Sequence, residues 1–337
     1  MIIGNGYKLE EKLGESSLGD IYLATQESSG QKVTVEVLSG EMRQDEERVN
    51  RLLQEIELVA ALQHPNIVQA IEAGQDSETY FLVTAYEPGK TLEEVLEGHK
   101  ALSEADAITY TSNISSALKH AWAEKRILHR DVKPANIHIT DSGVAKLTGF
   151  GIAKSSQGQS LGLTGAGFTI GTPEYMSPEQ IRASDDLNFA SDMYALGIVF
   201  YEMLTGRLPF EETAPILLMQ KHMDEDPEPA NERNTDVSAA SAEVVAHMLA
   251  KDPNERYASW QDLIDTLASV AQGSYKAAAA APKQAAAPAA QPAVTSAVPT
   301  AAESEKKGPL AKLGCGGMLV AGFGLIASAA GLVAYLT

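Results

Sequence analysis

Cysteine occurs once in the 337 residues, at Cys315. That excludes an intrachain disulfide framework and any metal centre built on several thiolates. The seven histidines are scattered, with no pair at metal-ligand spacing, so a histidine-based metal site is not expected either. Positive charge is also scarce: 26 Lys and Arg stand against 45 Asp and Glu, a net charge of −19. The deficit is uneven, because residues 273–337 hold five Lys and two Glu, a balance of +3, which leaves −22 on residues 1–272. An acidic body of this kind argues against binding a phosphate backbone, and no nucleic-acid partner is expected. A cleavable signal peptide is not read either, since Met1 leads straight into the polar segment Asn5 to Lys12. The folded body is therefore expected in the cytoplasm.

What is present begins with His129-Arg130-Asp131-Val132-Lys133-Pro134-Ala135-Asn136. The stretch brings a carboxylate, an ammonium and a carboxamide to fixed offsets. Phosphoryl transfer needs such a set: an acid to orient a hydroxyl nucleophile, a cation near the moving phosphoryl group, and an oxygen ligand for magnesium. The octapeptide resembles the catalytic loop of the protein kinases, H-R-D with N five residues after the D. Lys133, two residues after Asp131, resembles the serine/threonine branch. The resemblance covers residues 7–268 and implies an α+β, two-lobed protein-kinase-like fold, with a small β-rich lobe at 7–86 and a larger helical lobe at 90–268. It also implies Asp131, Lys133 and Asn136 as candidate catalytic residues, ATP and magnesium as cofactors, and a protein substrate or partner.

Taken in order, Tyr7 to Leu13 and Asp20 to Thr25 read as strands around Gly14-Glu15-Ser16-Ser17-Leu18-Gly19. An ordinary hairpin would read the same. Under the resemblance this is the glycine-rich loop over the ATP phosphates, with Ser16 at its middle glycine and Leu13, Gly14, Gly19 and Ile21 as further nucleotide-binding positions. Lys32 to Leu38 alternates as a strand, with valines on one face and Thr34 and Glu36 on the other. It resembles the V-A-I-K strand, whose lysine holds the α and β phosphates. Glu36 stands at that lysine, and Thr34 stands at the alanine that roofs the adenine pocket. Lys32 lies on the same face but some 13 Å along the strand, too far to substitute in place.

A helical spacing of apolar residues from Val49 to Leu62 follows. Its Glu55 matches the glutamate that pairs with the missing lysine, so two acids are expected to face each other. Strands are read at Ile67 to Ala73 and Tyr80 to Thr84. Thr84 would line the back of the adenine pocket and Tyr86 the hinge. Helices are read at Thr91 to Gly98 and Glu104 to Lys125. Beyond Asn136, Ile137 to Thr140 and Val144 to Leu147 read as a short hairpin. His138 then falls at the usually apolar floor of the adenine pocket, although a histidine turned outward fits the pattern equally well. Gly149-Phe150-Gly151 stands where the family has D-F-G. Glycine carries no ligand atom, which leaves Asn136 as the one metal ligand of the motif.

Gly171-Thr172-Pro173-Glu174-Tyr175 with Ser177-Pro178-Glu179 resembles the end of a kinase activation segment. Thr169 and the nearby serines are candidate phosphate acceptors, with Arg130 as the cation that would read them; an exposed loop is rich in serine in any case. Asp192 resembles the aspartate that hydrogen-bonds the catalytic-loop backbone, and Arg256 the arginine that pairs with Glu179. Thr172 is a further regulatory candidate.

From Gln272 the composition shifts to Ala, Pro and Lys, and residues 269–312 read as a linker. Leu313 to Leu336 then runs 24 residues without a charge, longer than the roughly 20 needed to cross a bilayer. Lys306, Lys307 and Lys312 precede it and nothing basic follows, so its N-terminal side is expected in the cytoplasm. A membrane-anchored chain with one transmembrane helix at 313–336 follows. Only Thr337 comes after it, so input from the cytoplasm is expected rather than from an external sensor domain. Gly317, Ala321, Gly324, Ser328 and Gly331 form a stripe of small residues that suits a homodimer, or a chance pattern in a Gly/Ala-rich segment.

Glu36 and Gly149 remove a cation and a metal carboxylate from one reaction site. A charge-assisted hydrogen bond contributes about 1.5 to 3 kcal/mol, and reversing a charge about 4 Å away changes the interaction by about 4 kcal/mol or more at an effective dielectric near 20. Each 1.4 kcal/mol costs about tenfold in rate. The expectation is a pseudokinase acting by partner binding or conformational switching, with ATP and magnesium binding weakened or absent. The alternatives are an active serine/threonine protein kinase with a rearranged nucleotide site, and a nucleotide-binding sensor without transfer.

Overall fold

The computed structural model describes residues 1–16, 19–38, 60–77, 79–98, 101–150 and 172–276. Glu55, Thr169, most of the linker and the candidate span 313–336 with its small-residue stripe lie outside the described residues. Among the described residues, no helix is long and apolar enough to cross a membrane.

The first part of the chain folds into β1 (Ile2–Ile3), β2 (Tyr7–Glu15), β3 (Gly19–Gln26), β4 (Lys32–Leu38), β5 (Ala70–Asp76) and β6 (Thr79–Ala85). They form one antiparallel sheet in the order β1-β2-β3-β4-β6-β5. Strand alternation decides which side chains enter its core. Val33 and Val35 pack there with Tyr7, Ala24, Phe81 and Val83, which turns Thr34 and Glu36 to the opposite face. The register sets Thr34 opposite Leu23 and Thr84, and Glu36 opposite Ile21 and Leu82.

The strand read from Ile67 starts instead at Ala70. Ile67 is 4% exposed and belongs to the large-lobe core; it bridges to Leu147, while the Val68 N–H donates to the Leu147 carbonyl at 2.9 Å. Its apolar side chain is thus used to stitch the two lobes together rather than to extend the sheet.

The larger lobe holds α1 (Leu92–Leu96), α2 (Glu104–Lys125), α3 (Pro178–Ile181), α4 (Phe189–Thr205), α5 (Pro215–Asp224), α6 (Ala230–Arg233), α7 (Ala239–Met248) and α8 (Trp260–Ala271). Helix α4 is apolar nearly all round and buried along its length, as a central helix must be. It starts at the Asn188 cap and stops at Gly206, whose φ of 71° closes the helix in the left-handed region. A small second sheet, β7 (Gly89–Thr91), β8 (Ile137–Thr140) and β9 (Ala145–Leu147), sits at the junction with the first lobe. Ile137 and Ile139 point into the core, which leaves His138 on the other face of β8.

Candidate active site

The loop before β8 is held from beneath. Asp192, in the first turn of α4 and 3% exposed, accepts the His129 N–H at 2.8 Å and the Arg130 N–H at 2.7 Å. Burial pushes its carboxyl up, opposed by the charges of His129 and Arg130 and by these two N–H donors. Arg130 has a φ of 66°, a conformation rare outside glycine that persists only where the surroundings impose it. His129 sets Nε2 at 2.8 Å from the Thr148 carbonyl and meets the Phe150 ring edge-on, centroids 4.7 Å apart. The scaffold role of Asp192 stands as expected.

On that base the candidate catalytic residues converge. Asn136 Nδ2 donates to Asp131 Oδ2 at 2.9 Å and to the Asp131 carbonyl at 2.8 Å. Lys133 Nζ lies 2.9 Å from Asp131 Oδ2 and donates to Thr172 Oγ1 at 2.9 Å. The turn Pro134–Asn136 is what folds Asn136 back towards Asp131. Asp131, Lys133, Asn136 and Thr172 therefore form one connected set. Thr169, which Arg130 would read, lies outside the described residues.

Gly149 adjoins this set, and glycine there is more than a missing carboxylate. Its φ is 80°, and a Cβ added to it would lie 3.0 Å from both Cγ and Oδ1 of Asn136. The backbone has settled at a φ that L side chains rarely adopt, and an added Cβ would require Asn136 to give way by a few tenths of an ångström. Magnesium is ordinarily held by one or two carboxylates with phosphate oxygens and water. Here Asp131 Oδ2 already accepts two donors, Gly149 supplies none, and the described residues contain no group of three or more His, Cys, Asp or Glu able to hold a metal. These residues do not fit a tightly held magnesium ion.

On β4, Glu36 is half-buried and receives a hydrogen bond from the Ser16 hydroxyl. Burial raises its carboxyl above the usual carboxylate range, with the Ser16 bond acting the other way. Glu55, expected to face Glu36, is outside the described residues; Ser16 is the partner that is seen. Lys32 pairs with Glu10 and does not stand in for the lysine. Gly14 pairs in register with Ile21, and Gly19 closes the turn by accepting the Ser16 N–H at 2.8 Å. Leu13 is 48% exposed, and Ile21 is half-buried. The Ser16–Glu36 contact escapes motif reading. Its only sequence signal is the coincidence of a serine at the middle glycine with a glutamate at the lysine.

The residues that the resemblance assigns to the adenine pocket are polar. Thr34 and Thr84 sit directly across β4 and β6, and Tyr86 is half-buried in the hinge. His138 Nε2 is buried and has no hydrogen-bond partner. It lies under the hinge, 2.9 Å from where a Cβ on Gly89 would be; that Cβ would also stand 2.1 Å from the Ile139 carbonyl oxygen, so the strand approach needs glycine. Its cross-strand neighbour Lys146 pairs with Glu87.

Behind the site, Arg256 grips Glu179 with both terminal nitrogens, at 2.7 and 2.9 Å. It also donates to the carbonyls of Ala190 at 2.7 Å and Ala250 at 2.9 Å, and Ser191 Oγ adds a bond to Glu179 at 2.8 Å. Burial alone would raise the Glu179 carboxyl, but the hydrogen bonds and charge of Arg256 outweigh it and hold the group below its usual range. The pairing read from sequence is present.

The protein kinase domain family model matches residues 7–267. Among curated relatives, a probable serine/threonine-protein kinase of Clostridium acetobutylicum is 33% identical over 269 residues, 80% of this chain and 40% of that protein. Serine/threonine-protein kinase PrkC of Bacillus subtilis is 33% identical over 261 residues, 77% of this chain and 40% of its own. The chain thus spans about 40% of the length of these relatives. The solved kinase domain of PknI from Mycobacterium tuberculosis has the same fold, with a TM-score of 0.63 at 23% identity, covering 80% of this chain and 97% of that one. With its two lobes, its H-R-D loop and its Glu179–Arg256 pair in place, the chain belongs to the protein kinase domain family, and its relatives are bacterial serine/threonine kinases.

Proposed function

We propose that this chain is a kinase-fold signalling module of the bacterial serine/threonine type that acts by binding a protein partner or by switching conformation, with phosphoryl transfer reduced to little or nothing. The observation that carries the reading is Glu36, a carboxyl bonded by Ser16 at the position where the family places a phosphate-binding lysine. Gly149, without a ligand atom and at a φ of 80° that strains any L side chain, supports it independently. ATP and magnesium, which the family uses in general, are then bound weakly or not at all.

A second reading is favoured by the connected set Asp131, Lys133, Asn136 and Thr172: an active serine/threonine kinase with a rearranged nucleotide site. Incubation with labelled ATP, magnesium or manganese and a generic protein acceptor separates the two. No transfer above an Asp131→Ala control is expected. Transfer that disappears in that variant would sink the pseudokinase reading. A sensor that binds nucleotide without transferring phosphate is tested by thermal shift with ATP, with and without metal.

The membrane belongs to the same proposal. Residues 313–336 anchor the chain with the kinase-like domain on the cytoplasmic side, and the small-residue stripe offers a homodimer contact.

A further inference from the structure

The turn between β2 and β3 departs from the family pattern at Ser16, β4 departs from it at Glu36, and the two departures touch. The Ser16 hydroxyl donates to Glu36 Oε1 and accepts the Gly19 N–H at 3.3 Å. The Ser16 N–H donates to the Gly19 carbonyl at 2.8 Å. A turn that cradles phosphate does so by keeping backbone N–H groups aimed at the anion. Here the N–H groups of Ser16 and Gly19, at the two ends of the turn, are both spent inside it. The side chain to which the turn is tied is an acid, and a carboxylate beside a phosphate repels it more strongly with each charge added. A glycine at position 16 could make neither of the hydroxyl's bonds, and a lysine at 36 could not accept one. Each substitution therefore makes chemical sense in the presence of the other.

We propose that Ser16 and Glu36 act as a single anion-rejecting latch at the phosphate end of the cleft, so that the site ranks adenine ligands by phosphate count: adenosine first, then AMP, then ATP. This deepens the reading above and rests on it, since it supplies the reason for impaired nucleotide handling. The latch sets specificity in two ways. Through the Ser16 hydroxyl it engages the Gly19 N–H, a backbone donor that a phosphate would use, and it places an acid where a cation would attract the phosphate. It leaves the adenine end, with Thr34, Thr84 and His138, free to take a heteroaromatic ligand that carries no phosphate.

Titration calorimetry on the full chain in detergent, without divalent cations, tests this with adenosine, AMP and ATP. The proteins compared are the unaltered chain, Ser16→Gly, Glu36→Gln and the double variant, each checked for folding by thermal melt. The unaltered chain is expected to bind adenosine about tenfold or more tightly than ATP. Glu36→Gln narrows that gap by about threefold to tenfold, and the double variant brings ATP level with adenosine. The two single effects are expected to be non-additive, because both residues act through one shared contact. Binding of ATP by the unaltered chain as tight as that of adenosine overturns the latch. So does an unchanged gap in both single variants, and so does the absence of binding by either ligand at millimolar concentration. The pseudokinase reading fails separately: Asp131-dependent transfer would remove it without altering the ligand order, whereas a reversed order without transfer removes the latch alone.

Discussion

His222 is the residue at which burial has the clearest consequence for stability. It is fully enclosed in α5, with Nδ1 3.0 Å from the Tyr194 hydroxyl, the Phe210 ring 5.0 Å away, and its carbonyl accepting Lys251 Nζ at 2.9 Å. Burial, and then the charge of Lys251, lower its pKa from 6.5 to about 4. Because the folded value lies below the unfolded one, the folded state resists protonation. The associated stability is complete above about pH 6.5 and is lost as pH falls toward about 4, a total of roughly 3 kcal/mol at one pKa unit per 1.4 kcal/mol. Melting curves at pH 7 and pH 4.5 should therefore show a smaller acid loss in His222→Gln than in the unaltered protein; equal losses would mean that His222 does not titrate in this window. Gly149 makes the complementary point about backbone. Gly149→Asp places a Cβ 3.0 Å from Asn136 Oδ1 at a φ of 80°. The substitution is expected to cost about 1 to 3 kcal/mol in stability and to restore no metal-dependent transfer. Gained transfer without loss of stability would show that the site is only one residue from activity.

Among the elements, the contact of greatest consequence joins α3 to the segment before α8. Arg256 is 3% exposed and spends its donors on Glu179, Ala190 and Ala250. Arg256→Met should cost about 3 to 5 kcal/mol, because it leaves the Glu179 carboxylate buried without its counter-charge. Urea denaturation measures this, and a change below about 1 kcal/mol would place the pair among ion pairs of no stabilising weight. This pair, Asp192 and the helix Glu104–Lys125 were legible in the sequence because each has a local signal. In α2 that signal is Ser103, whose side chain caps the first turn by accepting the Asp106 N–H. The start of β5 was not legible, since Ile67 looks like a strand residue and is recruited into the other lobe. Nor was the Ser16–Glu36 bond, which joins residues twenty positions apart and depends on the register of three strands. The left-handed turn at Gly149 was hidden for a similar reason: a motif tells which atom is missing, not where the backbone has moved.

For the whole molecule, the distribution of charge makes the proposed membrane attachment testable. The −22 on residues 1–272 opposes adsorption to an anionic bilayer, whereas Lys306, Lys307 and Lys312 beside the 24-residue uncharged segment favour it. Three lysines contribute about 1 kcal/mol each near such a surface, and this attraction is screened within about 8 to 10 Å at physiological salt. A segment buried in hydrocarbon is indifferent to salt. The two modes therefore separate on washing. Membranes carrying the chain should retain it through 1 M salt and alkaline carbonate, and deletion of residues 313–337 should release it to the soluble fraction. The deleted protein should melt within about a degree or two of the full chain, because the buried residues of both described hydrophobic cores lie between Ile3 and Leu267. Release by salt alone would reduce the tail to an electrostatic contact and remove the span from the proposal. A large fall in melting temperature on deletion would instead show that the tail packs against the domain, and the linker would then be part of the fold rather than a tether.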